Sequence, residues 1–200
     1  ALSASTSATN VSCHDYCDGI ITTTVNGGLP NYDINGNPVF SYQWNDVLLQ
    51  NTANAIGLCV DNLTNTTDYS CLITDGQGCS VTVTQTITQA EELVVSASIL
   101  NEISCYLGND GRLTASATGG NGGNNYLWNN WSSWNGNSFN NNLTLGSYVV
   151  VAQDLNGCMD TTEITLSQPS EMTIDVSIST PVLCYNDDNG TITANASGGT

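Results

Sequence analysis

Polar and apolar residues alternate along most of this chain, and a period of two predicts β-strands rather than helices. Apolar residues occupy one face of each predicted strand, and threonine, serine and asparagine fill the opposite face. No stretch carries a helical period. The pattern therefore predicts an all-β protein. The positions that we expect to face a core are Ile21, Thr23, Val25, Tyr69, Cys71, Ile73, Val81, Val83, Ile87, Leu113, Ala115, Ala117, Tyr148, Val150, Ala152, Ile164, Leu166, Ile192, Ala194 and Ala196.

Bulky aromatic pairs recur in two of the predicted strands. Tyr42 and Trp44 form one pair, and Tyr126 and Trp128 form the other. Residues two apart in a strand share a face, so we expect both pairs to pack in cores. Short strands with frequent turn signals then predict tandem immunoglobulin-like β-sandwich repeats.

One pattern occurs three times: a cysteine, a glycine six residues later, and a Gly-Gly pair eight residues after that. The three instances begin at Cys13, Cys105 and Cys184. A second pattern, Asp-x-x-Gly-Cys, begins at Asp75 and at Asp154. Such a register indicates tandem copies of one folding unit.

The repeats divide the chain into a first copy (1–90), a second copy (91–169) and an incomplete third copy (170–200). The segments between copies are short, and one of them contains Pro169, so we expect the copies to form a stiff rod. Because the third copy stops within the pattern, we expect the chain to be a piece of a longer repeat protein.

The charge balance is strongly acidic. Eighteen acidic residues stand against one base, Arg112, which gives a net charge of −17. Binding to nucleic acid or to an anionic membrane is excluded, because almost no cation is present to neutralise phosphates. No apolar run approaches the roughly 20 residues of a membrane span. With no lysine and a single histidine, His14, we predict that the chain is not an enzyme.

Eight cysteines in a chain rich in threonine, serine, asparagine and glycine indicate an oxidising, extracellular location. If each copy closes on itself, Cys13 pairs with Cys79 and Cys105 pairs with Cys158. Each bond would then contribute about 4 kcal/mol in the chain-entropy model. Connectivity does not follow from sequence, so these pairs are hypotheses.

The remaining cysteines have no counterpart in every copy. Cys59 and Cys71 could form a bond between neighbouring inward-facing strands. Cys17 is then left over, and Cys184 has no turn cysteine from its own copy within the sequence. We therefore treat Cys17 and Cys184 as unpaired or intersubunit candidates.

The complete motif is Cys-x5-Gly-x7-Gly-Gly, Tyr-x-Trp, Leu-x-x-Gly-x-Tyr, Asp-x-x-Gly-Cys and Gln-Pro. In the second copy it runs through Cys105, Gly119, Gly120, Tyr126, Trp128, Leu143, Gly146, Tyr148, Asp154, Gly157, Cys158 and Pro169. This motif resembles the SprB-type repeat of giant cell-surface adhesins in gliding Bacteroidota. The resemblance implies an extracellular adhesin that is exported by the type IX secretion system. The first copy departs from it by an insertion at 33–40 and by Ala90 in place of proline.

Oxygen-bearing side chains precede the first glycine of each copy. Asp18, Asp110 and Asp188 are the calcium candidates among them, since calcium prefers such ligands. The same turns form without metal, and no other cofactor is expected.

Several residues could carry glycans. The asparagines that begin Asn-x-Ser/Thr sequons are Asn10, Asn62, Asn65, Asn130, Asn142, Asn189 and Asn195. The resemblance to a bacterial family instead favours O-glycosylation at Thr161, within Asp-Thr-Thr.

Two tryptophans, Trp131 and Trp134, lie in a polar loop beyond Trp128. Three interpretations remain open: the loop folds over its own sandwich, it contacts another subunit, or its indoles stack on sugars.

These observations favour a structural subunit of an extracellular surface filament that is built from disulfide-locked sandwiches. Such a subunit would assemble with identical chains or repeats. The alternative is a tethered cell-surface adhesin whose loops bind carbohydrate or other surfaces.

Overall fold

The computed structural model describes residues 1–200, which form sixteen β-strands and no helix. The strands are β1 (Ser3–Thr9), β2 (Gly19–Asn26), β3 (Asn31–Tyr32), β4 (Pro38–Val39), β5 (Ser41–Trp44), β6 (Asn54–Leu58), β7 (Thr66–Thr74), β8 (Ser80–Thr88), β9 (Val94–Asn101), β10 (Gly111–Thr118), β11 (Asn125–Trp128), β12 (Phe139–Leu143), β13 (Gly146–Gln153), β14 (Met159–Leu166), β15 (Ser170–Thr180) and β16 (Thr191–Gly199). The all-β prediction is confirmed. No helix is available that could cross a membrane.

The first sandwich consists of two three-stranded sheets. One sheet has the order β1-β2-β6 and the other has the order β5-β7-β8. In chain order these strands correspond to A, B and E in one sheet and to C, F and G in the other, which is the immunoglobulin arrangement. The insertion of the first copy forms a small hairpin, in which β3 pairs with β4.

The core of the first sandwich surrounds Trp44. Its side chain is fully buried, and its Nε1 donates a hydrogen bond to the Thr52 carbonyl oxygen at 2.9 Å. Ile21 reaches it from one sheet and Ile73 from the other, and both are fully buried. Full burial of side chains of this size stabilises a fold by about 1.5–3 kcal/mol each.

The second sandwich repeats this architecture with sheets β12-β10-β9 and β11-β13-β14. Trp128, Leu113 and Leu166 are fully buried in its core. In both sandwiches the predicted inward positions are buried or partly buried, so the alternation is confirmed.

The third copy contributes one hairpin, in which β15 pairs with β16. Ile178 lies opposite Ile192, and Val176 lies opposite Ala194. Ile192, which the pattern predicts to face a core, is 71% exposed because no second sheet covers the hairpin within residues 1–200. Ala194 and Ala196 are exposed for the same reason.

Packing groups the residues into two compact units. Unit 1 comprises Ala1–Val94, Thr118–Asn124 and Gln153–Met159, and unit 2 comprises Val95–Ala117, Asn125–Ala152 and Asp160–Thr200. Unit 1 thus contains the first copy together with two turns that belong to the second copy by sequence. The copy boundaries drawn from the repeat pattern remain a prediction.

The first glycine of each Gly-Gly pair has no space for a side chain. Gly119 has φ = +73°, and a Cβ there would collide with the Glu92 carbonyl oxygen. Gly27 and Gly198 have the same backbone conformation and face equivalent carbonyls. Glycine is required at this position because only glycine tolerates both the positive φ and the close approach.

We expect Gly119→Ala to destabilise the chain more than Gly122→Ala does. Gly122 has φ = +72° but no atom within 4 Å of an added Cβ, so its substitution should cost only the left-handed strain of about 1–2 kcal/mol. The clash at Gly119 should add about 1–3 kcal/mol. Urea unfolding of the two variants measures the difference, and equal losses would contradict the steric explanation.

Candidate functional site

Loop 10–18 connects β1 to β2 and is held by local hydrogen bonds. The Asp18 carboxylate accepts hydrogen bonds from the Ser12 hydroxyl at 2.5 Å and from the Ser12 N–H at 2.9 Å. These two bonds lower the pKa of Asp18 below its usual value. Asp15 has φ = +62°, and its N–H donates to Oε1 of the buried Gln89 at 3.0 Å. The loop therefore has a defined shape.

A disulfide between Cys17 and Cys59 joins the end of this loop to the segment that follows β6. It corrects two predictions, because Cys17 is not left unpaired and Cys59 does not pair with Cys71. Cys59 is exposed between two buried neighbours, whereas Cys71 is fully buried in the core. The two sulfur atoms therefore lie on different sides of the sandwich wall.

Turn 154–158 connects β13 to β14 around the carboxylate of Asp154, which is only 4% exposed. Its Oδ1 accepts hydrogen bonds from the N–H groups of Asn156 at 2.9 Å and Cys158 at 3.0 Å. Its Oδ2 accepts one from the N–H of Asn121 at 2.7 Å. Burial alone would raise the pKa of Asp154, but the hydrogen bonds, led by those from Asn121, hold the pKa below its usual value.

Loop 10–18, turn 154–158 and Asn121 meet within unit 1, and we call this site the junction. A disulfide joins Cys13 to Cys158 across it. The Ser12 carbonyl oxygen accepts one hydrogen bond from the Asn121 side chain and one from the Asn156 side chain, each at 3.1 Å. The junction thus links a loop of the first copy to a turn of the second copy by one covalent bond and two amide hydrogen bonds.

This bond corrects the predicted pairs Cys13–Cys79 and Cys105–Cys158. Cys79 lies just before β8, whereas the loop that holds Cys13 bonds to Thr88 at the other end of β8. Nine strand residues at about 3.3 Å each separate the two ends by about 30 Å. The cysteines of one copy therefore lie at opposite ends of their sandwich and cannot reach each other.

Four cysteines are free in the structure. Cys79, Cys105 and Cys184 are exposed, and Cys71 is buried. Burial raises the pKa of Cys71, which favours the unreactive thiol. The exposed three are therefore the cysteines available for further bonds.

The junction depends on side chains that the sequence did not single out, namely Asn121 and Asn156. The position of Asn121 carries Leu29 in the first copy and Thr200 in the third, so the repeat pattern gave no signal there. Asn156 lies in a turn whose shape was predicted, but its partner belongs to another copy.

The calcium candidates Asp18 and Asp110 bind their own loops. Hydrogen bonds from Ser104, its hydroxyl first and its N–H second, lower the pKa of Asp110, as Ser12 does for Asp18. Asp188 is exposed near the end of the loop before β16. No three histidine, cysteine, aspartate or glutamate side chains gather in a geometry that could hold a metal ion. Calcium binding remains a prediction without a gathered ligand set.

The glycosylation candidates differ in how free their side chains are. Asn10, Asn62, Asn65 and Asn130 bond to other groups of the chain through their amides. Asn189 bonds to Asp187. All of the candidates except the half-buried Asn65 are exposed, including Asn142, Asn195 and Thr161. Glycosylation remains a prediction.

The two loop tryptophans have different environments. Trp131 packs against the second core, and its Nε1 donates to Asn140 Oδ1 at 3.3 Å. Trp134 is 38% exposed. The loop thus covers its own sandwich at Trp131 and presents an indole at Trp134.

Two stretches of the chain match a known repeat family. The model of the SprB repeat matches residues 97–132 and 176–200. The two matches begin at the same distance before Cys105 and before Cys184, so they follow the register of the repeated cysteines. These stretches match the SprB repeat, and the predicted resemblance is confirmed. No curated protein matches the chain.

Solved structures show the fold. Three amino-terminal domains of the highly immunogenic outer capsid protein of bacteriophage RB49 superpose with a TM-score of 0.51 at 17% identity, over 99% of this chain and 70% of that one. A carboxyl-terminal intimin fragment, in complex with the intimin-binding domain of its translocated receptor, gives 0.45 at 13% identity, over 90% and 67%. A tetra-tandem repeat from the extending region of a large adhesion protein gives 0.27 at 12% identity, over 98% and 63%. The chain consists of tandem immunoglobulin-like β-sandwich repeats, as predicted.

We expect Asp154→Asn to destabilise the chain by about 1–3 kcal/mol at pH 7, because the amide accepts fewer hydrogen bonds in a buried turn. The carboxylate has a lowered folded pKa, so its contribution is complete above the unfolded value of about 3.9 and is lost as the pH falls through the folded value. The difference between wild type and variant in urea unfolding should therefore shrink below about pH 4.

The matched control is Asp175→Asn, which removes the same charge from the exposed strand β15. It should leave stability nearly unchanged at either pH. A loss as large as that of Asp154→Asn would mean that charge rather than the turn determines the effect.

Proposed function

We propose that this chain is part of a load-bearing extracellular filament or stalk on a cell surface, in which disulfides hold successive repeats together. The SprB-type repeats support a surface location, and the eight cysteines fit an oxidising compartment. Export by type IX secretion, which derives from the resemblance, and glycosylation belong to the same proposal. Catalysis has no part in it.

The observation that carries the proposal is the disulfide between Cys13 and Cys158, which are separated by 145 residues. When the chain is pulled from its two ends, force passes from residue 13 directly to residue 158 through this bond. Residues 14–157 are therefore outside the load path, and every strand of the two β-sandwiches except β1 and β14 is protected from extension. Structural support of this kind suits a stalk or filament better than it suits a soluble receptor.

We expect single-molecule pulling between the two ends to give about 500 Å more extension after reduction than before it. The figure is the 145-residue separation multiplied by about 3.3–3.6 Å per extended residue. Without reductant, the Cys13→Ser variant should gain about 340–370 Å, because the Cys17–Cys59 disulfide still closes a 42-residue separation within the 145-residue one. Force–extension curves of the two proteins measure it.

The control variant is Cys17→Ser, which removes the other disulfide but leaves Cys13–Cys158 intact. Its total extension should equal that of the wild type, because the bond it lacks lies inside the protected segment. Equal extension of the wild type and Cys13→Ser would overturn the load-bearing proposal.

An alternative function, a tethered adhesin that binds carbohydrate, rests on Trp134. Its partly exposed indole lies in a polar loop beside Ser132, Ser133 and Asn135, and aromatic faces of this kind stack on sugar rings. Self-association through the same loop would use the same residue.

If the loop binds carbohydrate, Trp134→Ala should abolish any signal on a glycan array, because the stacking surface is removed. Tyr106→Ala is the control, since Tyr106 is 43% exposed on a different loop. A signal that survives in Trp134→Ala, or that is lost equally in Tyr106→Ala, would exclude this loop as the sugar site.

A further inference from the structure

We propose that the disulfide of the junction is a general cross-link of the repeat. The loop cysteine of each copy would bond to the turn cysteine of the copy that follows it in the same polypeptide. In a longer chain of such copies, Cys105 would bond to the turn cysteine of the following copy, and Cys79 would bond to the loop cysteine of the preceding copy. This inference concerns the covalent map and holds whether the protein acts as a filament or as a tethered adhesin.

The loop half of the cross-link recurs in the second copy with the same internal bonds. The Ser104 N–H donates to Asp110 Oδ1 at 3.1 Å, as Ser12 does to Asp18. The Leu107 N–H donates to Gln168 Oε1 at 3.0 Å, as Asp15 does to Gln89. The residue two positions after the cysteine has a positive φ in all three copies: Asp15 (62°), Leu107 (58°) and Asn186 (73°). The loop of the second copy therefore holds Cys105 in the same way as loop 10–18 holds Cys13.

The turn half recurs in the first copy. Asp75 Oδ1 accepts hydrogen bonds from the N–H groups of Gln77 and Cys79, each at 2.9 Å. Its Oδ2 accepts one from the N–H of Leu29 at 3.1 Å, the position that corresponds to Asn121. Cys79 is therefore presented by the same turn as Cys158, but it is exposed and free.

The surroundings of the forward bond are already assembled in unit 2. One cleft at the junction is lined by Thr9, Asn10, Val11, Ser12, Thr88, Gln89, Ala90, Asn121 and Asn156. A second cleft, within unit 2, is lined by Glu102, Ile103, Ser167, Gln168, Pro169 and Thr200. Each residue of the second cleft is the repeat equivalent of one in the first when the repeated cysteines of successive copies are aligned. The start of the third copy thus meets the second-copy loop as the second copy meets loop 10–18.

A complete third copy would add its own Asp-x-x-Gly-Cys turn to the second cleft. In a third copy of the same length, its cysteine would follow Cys158 at the interval that separates Cys79 from Cys158. The register established by Thr200 would bring that cysteine to Cys105.

Formation of each bond is an ordinary two-electron oxidation. Two thiols lose two protons and two electrons, and an S–S bond forms between them. The oxidant is a protein disulfide of the export compartment, which is reduced to a dithiol by thiol–disulfide exchange. Cys71 is excluded from such exchange because it is buried in the first core.

The amide hydrogen bonds of the junction are not part of the general rule. The first-copy turn has Leu29 and Gln77 where the second copy has Asn121 and Asn156. A disulfide at Cys79 would therefore lack the two hydrogen bonds that asparagine amides make at the junction. The disulfide itself needs only the shapes of the loop and the turn, which recur.

A peptide map of the natural protein that contains residues 1–200 tests the inference. Thiols are blocked with N-ethylmaleimide, and the unreduced protein is cut before aspartate and after glutamate. These cuts place each cysteine in its own peptide, in the fragments 1–14, 15–17, 46–60, 68–74, 75–91, 103–109, 154–159 and 175–186. The isolated 200-residue chain is mapped in parallel as the control.

In the control chain we expect 1–14 joined to 154–159, 15–17 joined to 46–60, and 75–91 and 103–109 fully alkylated. In the natural protein, alkylation of the last two should be lost. Fragment 103–109 should be joined to a peptide that begins with Asp-x-x-Gly-Cys, and 75–91 to a peptide with a loop cysteine.

Three outcomes would overturn the inference. The first is complete alkylation of Cys79 and Cys105 in the natural protein, and the second is a bond between 103–109 and 154–159. The third is a fall in apparent mass on reduction in a denaturing gel, which would place the bonds between separate polypeptides. The first and third outcomes leave the Cys13–Cys158 bond in place, so the two proposals can fail separately; the second outcome would remove that bond as well.

Discussion

A single carboxylate at the end of each sandwich connects the ends of its two sheets, and the rest of the site depends on it. Asp154 accepts hydrogen bonds from turn 154–158, which follows β13, and from Asn121, which follows β10 in the other sheet. Asp75 does the same with its own turn and Leu29. Because one side chain organises both segments, the cysteine and the amides that they carry are presented together. A charged group with a lowered pKa thus positions a junction that itself contains no charge pair.

The fold could be predicted from the sequence because burial imposes a period on every strand. Ile21 and Thr23, Leu113 and Ala115 are buried where the alternation places them, although threonine is polar and alanine is small. The third copy shows the limit of this reasoning. Ile192 follows the same alternation yet is exposed, because a pattern states which face is apolar and the presence of a second sheet decides whether that face is covered.

The disulfides could not be predicted while each copy was treated as closed on itself. The topology contained the necessary signal, since the loop between the first two strands and the turn between the last two lie at opposite ends of an immunoglobulin-like sandwich. Cys13 and Cys79 are therefore too far apart, whereas loop 10–18 and turn 154–158 meet at the junction despite their separation along the chain. The partner of Cys17 was missed for a local reason. Cys59 faces outward between buried Leu58 and Val60, because an irregularity between Ala55 and Leu58 shifts the alternation by one residue.

The composition explains why the junction is built from a disulfide and neutral amides. With eighteen acidic residues and one arginine, ion pairs cannot hold copies together, and self-repulsion between acidic surfaces opposes their approach. Arg112 bonds to Asn141 within its own sandwich and takes no part. Hydrogen bonds from Asn121 and Asn156 to a backbone carbonyl are insensitive to salt, and a covalent bond is insensitive to charge altogether. The same acidic surface that keeps such a chain soluble therefore requires another means of attachment between successive copies, and the paired cysteines supply it.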